Sequence, residues 1–365
     1  MVTELRNELG QLKQTNMQQA KQIRTQTADF SRELEELKSK AFFTAPKVSD
    51  TEIMKKWKVL GFSIRQFISS YLSGPLDPPT LRLLEQKQEF RWLPHIATTL
   101  QLPILRPILF ESWIWHFLCF RVFDLRSSLW GGEAGKLLGS SSEIIRKLIA
   151  RNSGLDPRTN TTSILAKFHD WRVHSAQFLS QFNTHDKKYS IAELSNTMLD
   201  YLKHAMTGNH FNEPDMRLDA YKIVGEAAKL DEIFRLSKAD FHVFITRVKL
   251  PLVEPPSFGF HFDDQTMEIT KDVPLFDRRD SADRKHIVGL AISPGIFKAG
   301  NSNGANYGTE RVLVKLQALC NLQEMLVYFE NQSVTHGGRH QKQTDMEDLS
   351  TDAEVDMLSI ARHKH

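Results

Sequence analysis

Cysteine is nearly absent from this chain, with only Cys119 and Cys320 among 365 residues. Two cysteines cannot supply a disulfide framework, nor a structural zinc site by themselves. Long apolar runs are missing as well. In the most apolar region only Ser112 to Phe120 is free of charge, far short of the roughly 20 residues that a bilayer requires, so no membrane span is expected. No apolar signal region follows Met1, which predicts a cytoplasmic or nuclear protein and not a secreted one. The acceptor-type triplets at Asn160 (NTT) and Asn331 (NQS) then carry no sugar. Charge of one sign is also lacking. The 47 basic and 44 acidic residues give a net charge of +3 and are mixed along the chain, without the basic stripe of a nucleic-acid binder.

The motifs of common chemistries are incomplete. Gly131 to Leu137 (GGEAGKL) is reminiscent of a phosphate loop, but Trp130 stands where the first glycine belongs and Leu137 replaces the hydroxyl that would hold magnesium. A helix stop and a turn explain it better. Among the 14 histidines, His169 and His174 are five apart, the wrong spacing for two ligands on one helix face, and no His-Glu-x-x-His occurs. His336 with His340, and His363 with His365, fall in a polar tail. Neither a metal nor a cofactor is expected.

What the chain does have is a wealth of apolar and aromatic residues, 41% and 10% respectively, enough for one sizeable core. The stretch Pro107 to Trp130 holds Trp113, Trp115 and Trp130 with four phenylalanines. It reads as a single helix, apolar on most sides, opened by Pro107 and stopped before Gly131-Gly132. Other helices surround it. Ser49 and Glu52 have capping-box spacing, and Ile53, Trp57, Leu60, Ile64, Phe67 and Tyr71 then make one buried stripe. Further helices are expected from Pro79 to Trp92, after Ser140 with Glu143 (Ile144, Ile145, Leu148, Ile149), and after Ser190 with Glu193 (Ile191, Leu194, Met198, Leu202). The stripe Ile164, Phe168, Trp171, Ser175, Phe178 and Phe182 marks another helix. Pro214 opens one that runs to Leu236, and Ser237 with Asp240 begins a short successor. From Lys249 the pattern changes to short β-rich runs at Phe258–Phe262, Ile287–Ile292 and Arg311–Leu319, which predict a small antiparallel sheet.

The fold class expected is therefore mainly α. A multi-helix domain (49–248) around a central Trp/Phe-rich helix carries a small C-terminal antiparallel β element (249–330), preceded by a coiled-coil helix (1–40) and a linker (41–48). A disordered tail (331–365) follows, in which Met346 to Ile360 could fold only on a partner. The coil rests on a heptad seam of Val2, Leu5, Leu9, Leu12, Asn16, Gln19, Ile23, Gln26, Phe30, Glu33 and Leu37. Its polar members equally suit a frayed single helix or an unstructured arm, and the sequence leaves these open.

Two constellations are candidates for chemistry. Ser112, His116 and Cys119 share a narrow arc of the central helix, where a thiolate beside an imidazole could act as nucleophile and base. A buried cysteine and a histidine bonded to one carbonyl is the plainer reading. The loop Pro294 to Gly308 gathers Gly295, Gly300, Gly304 and Gly308 around Lys298, Asn301, Asn303, Asn306 and Tyr307. It is a candidate ligand-binding loop, or else a long hairpin connection whose glycines serve positive φ angles.

Three stretches, SDTEIMKKWKVLGFSIRQFI at 49–68, LFESWIWHFLCFRVFD at 109–124 and AISPGIFKAGNSNGANYG at 291–308, resemble uncharacterised proteins of filamentous fungi. These typically join an N-terminal coiled coil to a helical domain and close with a PxxxKxGN-type segment. The resemblance implies an intracellular fungal protein, with no enzyme class and no catalytic residue to carry over.

The sequence thus leads first to a non-enzymatic interaction or scaffold protein. Its arm, through Leu5, Leu9, Leu12, Ile23, Phe30 and Leu37, would pair with itself or with a protein partner. A small-molecule-binding enzyme sited near the 294–308 loop is the alternative. A zipper-type regulator comes third, because the basic region it requires would have to precede Met1.

Overall fold

The computed structural model describes residues 14–29, 48–86, 96–125, 127, 129, 131–152, 161–182, 184–206, 212–245, 259–270 and 286–327. Residues 14–29 form helix α1, exposed along its whole length. Then come α2 (Asp50–Tyr71), α3 (Pro78–Gln86), α4 (Ile96–Gln101), α5 (Arg106–Arg121), α6 (Gly132–Asn152), α7 (Thr161–Phe182), α8 (Thr184–Leu202) and α9 (Glu213–Leu236). Among the described residues seven short strands complete the order: β1 (Asp240–Phe244), β2 (Phe260–His261), β3 (Met267–Ile269), β4 (Ile287–Ser293), β5 (Gly295–Ala299), β6 (Glu310–Val314) and β7 (Leu316–Cys320). The fold is mainly α, with a central Trp/Phe-rich helix and small sheets towards the C-terminus, the first strand of which (Asp240–Phe244) falls within the stretch expected to be helical.

Helix α5 is buried on nearly every side, from Ile108 to Leu118. Pro107 occupies its first turn, where a missing N–H has no consequence. Helix α2 supplies the opposing stripe. Ser49 caps it by accepting the Glu52 amide at 3.2 Å, and Ile53, Trp57, Leu60, Ile64 and Phe67 all point inward. Trp57 stacks on Trp115 with ring centroids 4.7 Å apart, a contact that adds on the order of 1 kcal/mol to the area it buries. Helix α9 closes the same core with Ile223, Ala227 and Leu230. Charges on α5 are matched where they are buried. Arg106 donates to the carbonyls of Leu100 (2.8 Å) and Gly74 (2.6 Å), and Glu111 accepts from Arg65 at 2.9 Å.

The central helix is shorter than its apolar run. It ends at Arg121, where Val122 and Phe123 both donate to Leu118 O and the Ser127 hydroxyl donates to Arg121 O. Trp130 lies outside the described residues. Two expected starts are also corrected. Ser140 sits inside α6, its hydroxyl donating back to Lys136 O at 3.0 Å, and Ser190 sits inside α8. A Ser-x-x-Glu pattern serves a helix interior as well as its cap, because a serine can bond the preceding turn.

The β region holds two sheets. The first is antiparallel in the order β1-β5-β6; the second runs β2-β4-β7-β3. In the second, β3 pairs parallel with β7 (Met267 opposite Leu316), so a wholly antiparallel element is corrected to a mixed one. Only Pro294 separates β4 from β5, and the chain passes there from one sheet to the other. The short helix expected at Ser237 is absent. Ser237 is extended (φ −80°, ψ 141°), and the following Asp-Phe-His-Val-Phe pairs with β5 as strand β1. The buried Ser112 hydroxyl donates to Ala291 O at 2.5 Å, tying α5 to β4.

Candidate functional site

Among the expected site residues, His116 and Cys119 both lie on α5. His116 is buried and its Nδ1–H donates to Ser112 O at 2.9 Å. Burial pulls its pKa down to about 4, although the Ser112 carbonyl opposes the shift. Burial pushes the Cys119 thiol well up. A thiolate–imidazolium pair needs both groups moved the other way. Neither shift favours such a pair, and Cys119, half-buried, forms part of a cleft wall.

The loop residues are engaged within the fold. Lys298, on β5, is buried; its Nζ meets Asp50 Oδ1 at 2.5 Å and lies 5.6 Å from the centre of the Phe241 ring. Asp50 also pairs with Arg311 and opens α2, where a negative charge suits the helix N-terminus. Asn301 Oδ1 accepts the amides of Asn303 and Ala305, each at 3.0 Å, while Asn303 itself is exposed. Tyr307 is buried and donates its hydroxyl to Lys238 O at 2.7 Å. Gly300 has φ +75°, and a Cβ there would stand 2.6 Å from the Tyr307 ring. Lys298 and Tyr307 thus brace the hairpin between β5 and β6.

On the arm, Ile23 belongs to α1 and is 62% exposed. Leu5, Leu9, Leu12, Phe30 and Leu37 lie outside the described residues.

The concave site is elsewhere. A cleft of about 430 Å³ opens between the C-terminal end of α5, helices α6, α7 and α9, and strand β1. Its charged lining interleaves Arg146, Arg172 and Arg235 with the carboxylates of Asp124, Glu143, Asp231 and Asp240. Arg146 (α6) forks onto Asp240 at 2.9 and 3.0 Å and also donates to His242 Nε2. Arg172 (α7), 8% exposed, donates to the carbonyls of Arg235 (3.1 Å), Ser237 (2.7 Å) and Ala239 (3.2 Å), so it caps the end of α9. Arg235 pairs with Asp231 at 2.7 Å and donates to Asp124 O at 2.6 Å, which holds the turn after α5. Burial would raise the Asp240 carboxyl, but Arg146, His242 and Arg172 outweigh it and hold it below its usual range. Burial first, with the neighbouring Arg146 and Arg235 charges, brings Arg172 down to about 10 against the pull of Asp240. Among the described residues the buried Arg146 Nε–H has no acceptor.

The loop reaches this cleft from behind. Tyr307 stacks on His169, whose Nδ1 accepts from Arg172 Nε at 3.3 Å. His169, with burial as the main cause, is lowered to about 4.

No family model, curated protein or solved structure matches this chain. Among the described residues no group of three or more His, Cys, Asp or Glu stands where it could hold a metal ion, and no helix is long and apolar enough to cross a membrane.

Sequence reading missed the arginines. On α7 it took Ile164, Trp171 and Phe178 as inward, whereas these are exposed and the inner face carries Phe168, His169, Arg172, Val173 and Ala176. The available signals were slight: Asp231 and Arg235 at helical i,i+4 spacing, and the alternation of Asp240 and His242 on a strand.

Proposed function

We propose that this chain is a non-enzymatic interaction protein that receives its partner in the cleft beside β1, with α1 as a second, separate contact element. The observation that carries the reading is the pairing of the cleft charges. Arg146 with Asp240, Arg235 with Asp231, and Arg172 with the carbonyls after α9 leave fixed dipoles and aromatic surface, which suit holding a ligand in place. General acid–base work asks for a group poised near neutral pH. His116 and His169 are lowered to about 4 and the Cys119 thiol is raised, so none of these is poised. The fungal resemblance, which implies no activity, is compatible with the same proposal.

The test is affinity capture on the full chain with two surface variants. Phe120→Glu places charge on the cleft rim, where Phe120 is 51% exposed, and Phe178→Glu does the same at a 61% exposed site on α7 that does not line the cleft. Loss of one defined partner with Phe120→Glu but not with Phe178→Glu supports the reading. Turnover of a small molecule by the purified chain, abolished by Cys119→Ser, would overturn it in favour of an enzyme.

A further inference from the structure

The outer face of α2, turned away from the core, exposes Val59 (46%) and Phe62 (55%). Exposed lysines flank them: Lys55 and Lys58 on α2, and Lys229 on the neighbouring α9. Two open hollows of about 500 and 450 Å³ meet here and share Lys55 and Val59. The two carboxylates at their rim are already engaged, Glu52 with Lys56 at 3.6 Å and Glu226 with the Ser63 hydroxyl at 3.2 Å. Among the described residues no carboxylate pairs with Lys55, Lys58 or Lys229. An apolar centre with unanswered cations around it fits a segment of the opposite design.

The chain itself contains such a segment. Residues 345–360 lie outside the described residues, and their sequence, DMEDLSTDAEVDMLSI, carries six carboxylates and no basic residue. Written on a helix, Met346, Leu349, Ala353, Met357 and Ile360 return to one side. Asp345, Asp352 and Asp356 then run along one flank of that side, and Glu347 and Glu354 along the other. The distance is no obstacle. The last described segment anchors Leu322, Met325 and Leu326 in the same core as Trp57 and Leu60 of α2. From there residues 328–344 can span up to roughly 55 Å, against a radius of gyration of roughly 20 Å for a domain of this size.

We propose that residues 345–360 dock as a helix on the lysine-flanked face of α2 and α9 in the same molecule. Their apolar side covers Val59 and Phe62, and their carboxylates answer Lys55, Lys58 and Lys229. The proposal is independent of the cleft. Exposed ion pairs hold little by themselves, so the apolar seam supplies the affinity and the charges select the segment. Tethering makes a small contact sufficient. At an effective concentration on the order of 1 mM, a segment whose free form binds at about 0.1 mM is docked in about nine molecules of ten. The face is thereby kept covered by the chain's own tail, and an acidic amphipathic helix from elsewhere has to displace it.

The test is zero-length coupling of carboxylates to lysines by a carbodiimide in the dilute full chain, read by peptide mass spectrometry on an equal mixture of ordinary and ¹⁵N-labelled molecules. Couplings from the 345–356 carboxylates are expected to concentrate on Lys55, Lys58 and Lys229 and to join peptides of one isotopic form. The double variant Val59→Glu/Phe62→Glu alters exposed residues only and should lower these couplings about fivefold or more. Coupling of Glu143 to Lys147, 2.7 Å apart on α6, should not change and serves as the internal standard. Couplings spread evenly over exposed lysines such as Lys136 and Lys203, or none from this segment, overturn the proposal. So does indifference to the double variant. Couplings that join the two isotopic forms equally would show that the segment reaches another copy, which overturns docking within one molecule.

Discussion

The imidazole of His169 lies flat against the phenol ring of Tyr307, with centroids 4.3 Å apart and 16° between the planes. Tyr307, a candidate ligand contact from the sequence, acts in the fold as a brace. Through His169 it steadies Arg172, and through its hydroxyl it holds the Lys238 carbonyl just ahead of β1.

Tyr307→Phe keeps the stack and loses one hydrogen bond, and a loss of about 1 kcal/mol is expected. Tyr307→Ala removes the ring as well, and about 3–5 kcal/mol is expected. Urea unfolding of the two variants measures both. Equal stability of Tyr307→Ala and the parent would show that the loop does not brace the cleft.

Acid should loosen the same contact. His169 accepts from Arg172 only while its Nδ1 is unprotonated, and both His169 and His116 are lowered from 6.5 to about 4 when folded. Their contribution is fully present above pH 6.5. As pH falls from 6.5 towards 4 the unfolded chain takes up protons that the folded chain refuses, and stability drops by on the order of 3 kcal/mol for each histidine. His169→Gln should flatten part of that slope. Unfolding free energies at pH 7.5, 5.5 and 4.5 that show no decline would contradict it.

Lys298→Met removes the partner of Asp50 from a buried position without changing the outline of β5 much. Arg311 still answers Asp50, so the expected loss is roughly 1–3 kcal/mol. Thermal unfolding would register it. A variant as stable as the parent would mean that Lys298 is held in reserve for a ligand after all.

Ile23→Asp alters an exposed residue of α1, so the melting temperature should not move. If the arm pairs with a second copy, light scattering of the full chain over a concentration series will show a dimer that this variant weakens. An unaltered dimer would place self-association elsewhere.

Much of the helical layout was legible in the sequence. The stripe Ile53, Trp57, Leu60, Ile64, Phe67 keeps strict helical spacing, and the Ser49 cap precedes it in plain view. Helix α7 shows the limit. Apolarity alone points to Trp171 and Phe178 as inward, yet Arg172 is buried because carbonyls at the end of α9, more than sixty residues away, stand ready to receive it. Such a match between distant segments leaves no periodic trace. The same holds for the cleft, which needs the end of α5, α6, α9 and β1 brought together before it exists. Lys298 and Tyr307 were singled out as candidate ligand contacts, and the structure shows each engaged within the fold. Their partners, Asp50 and His169, could not be read from spacing.

The most direct test of a cleft that holds without reacting is the pH–rate profile for alkylation of Cys119 by iodoacetamide in the full chain, with Cys119 and Cys320 resolved by peptide mass spectrometry. Burial raises both thiols, Cys320 to about 11, so each should react more slowly than a free thiol at pH 8 and show no inflection below that pH. An inflection for Cys119 between about pH 5 and 7 would reveal a thiolate stabilised in the cleft and would contradict the account.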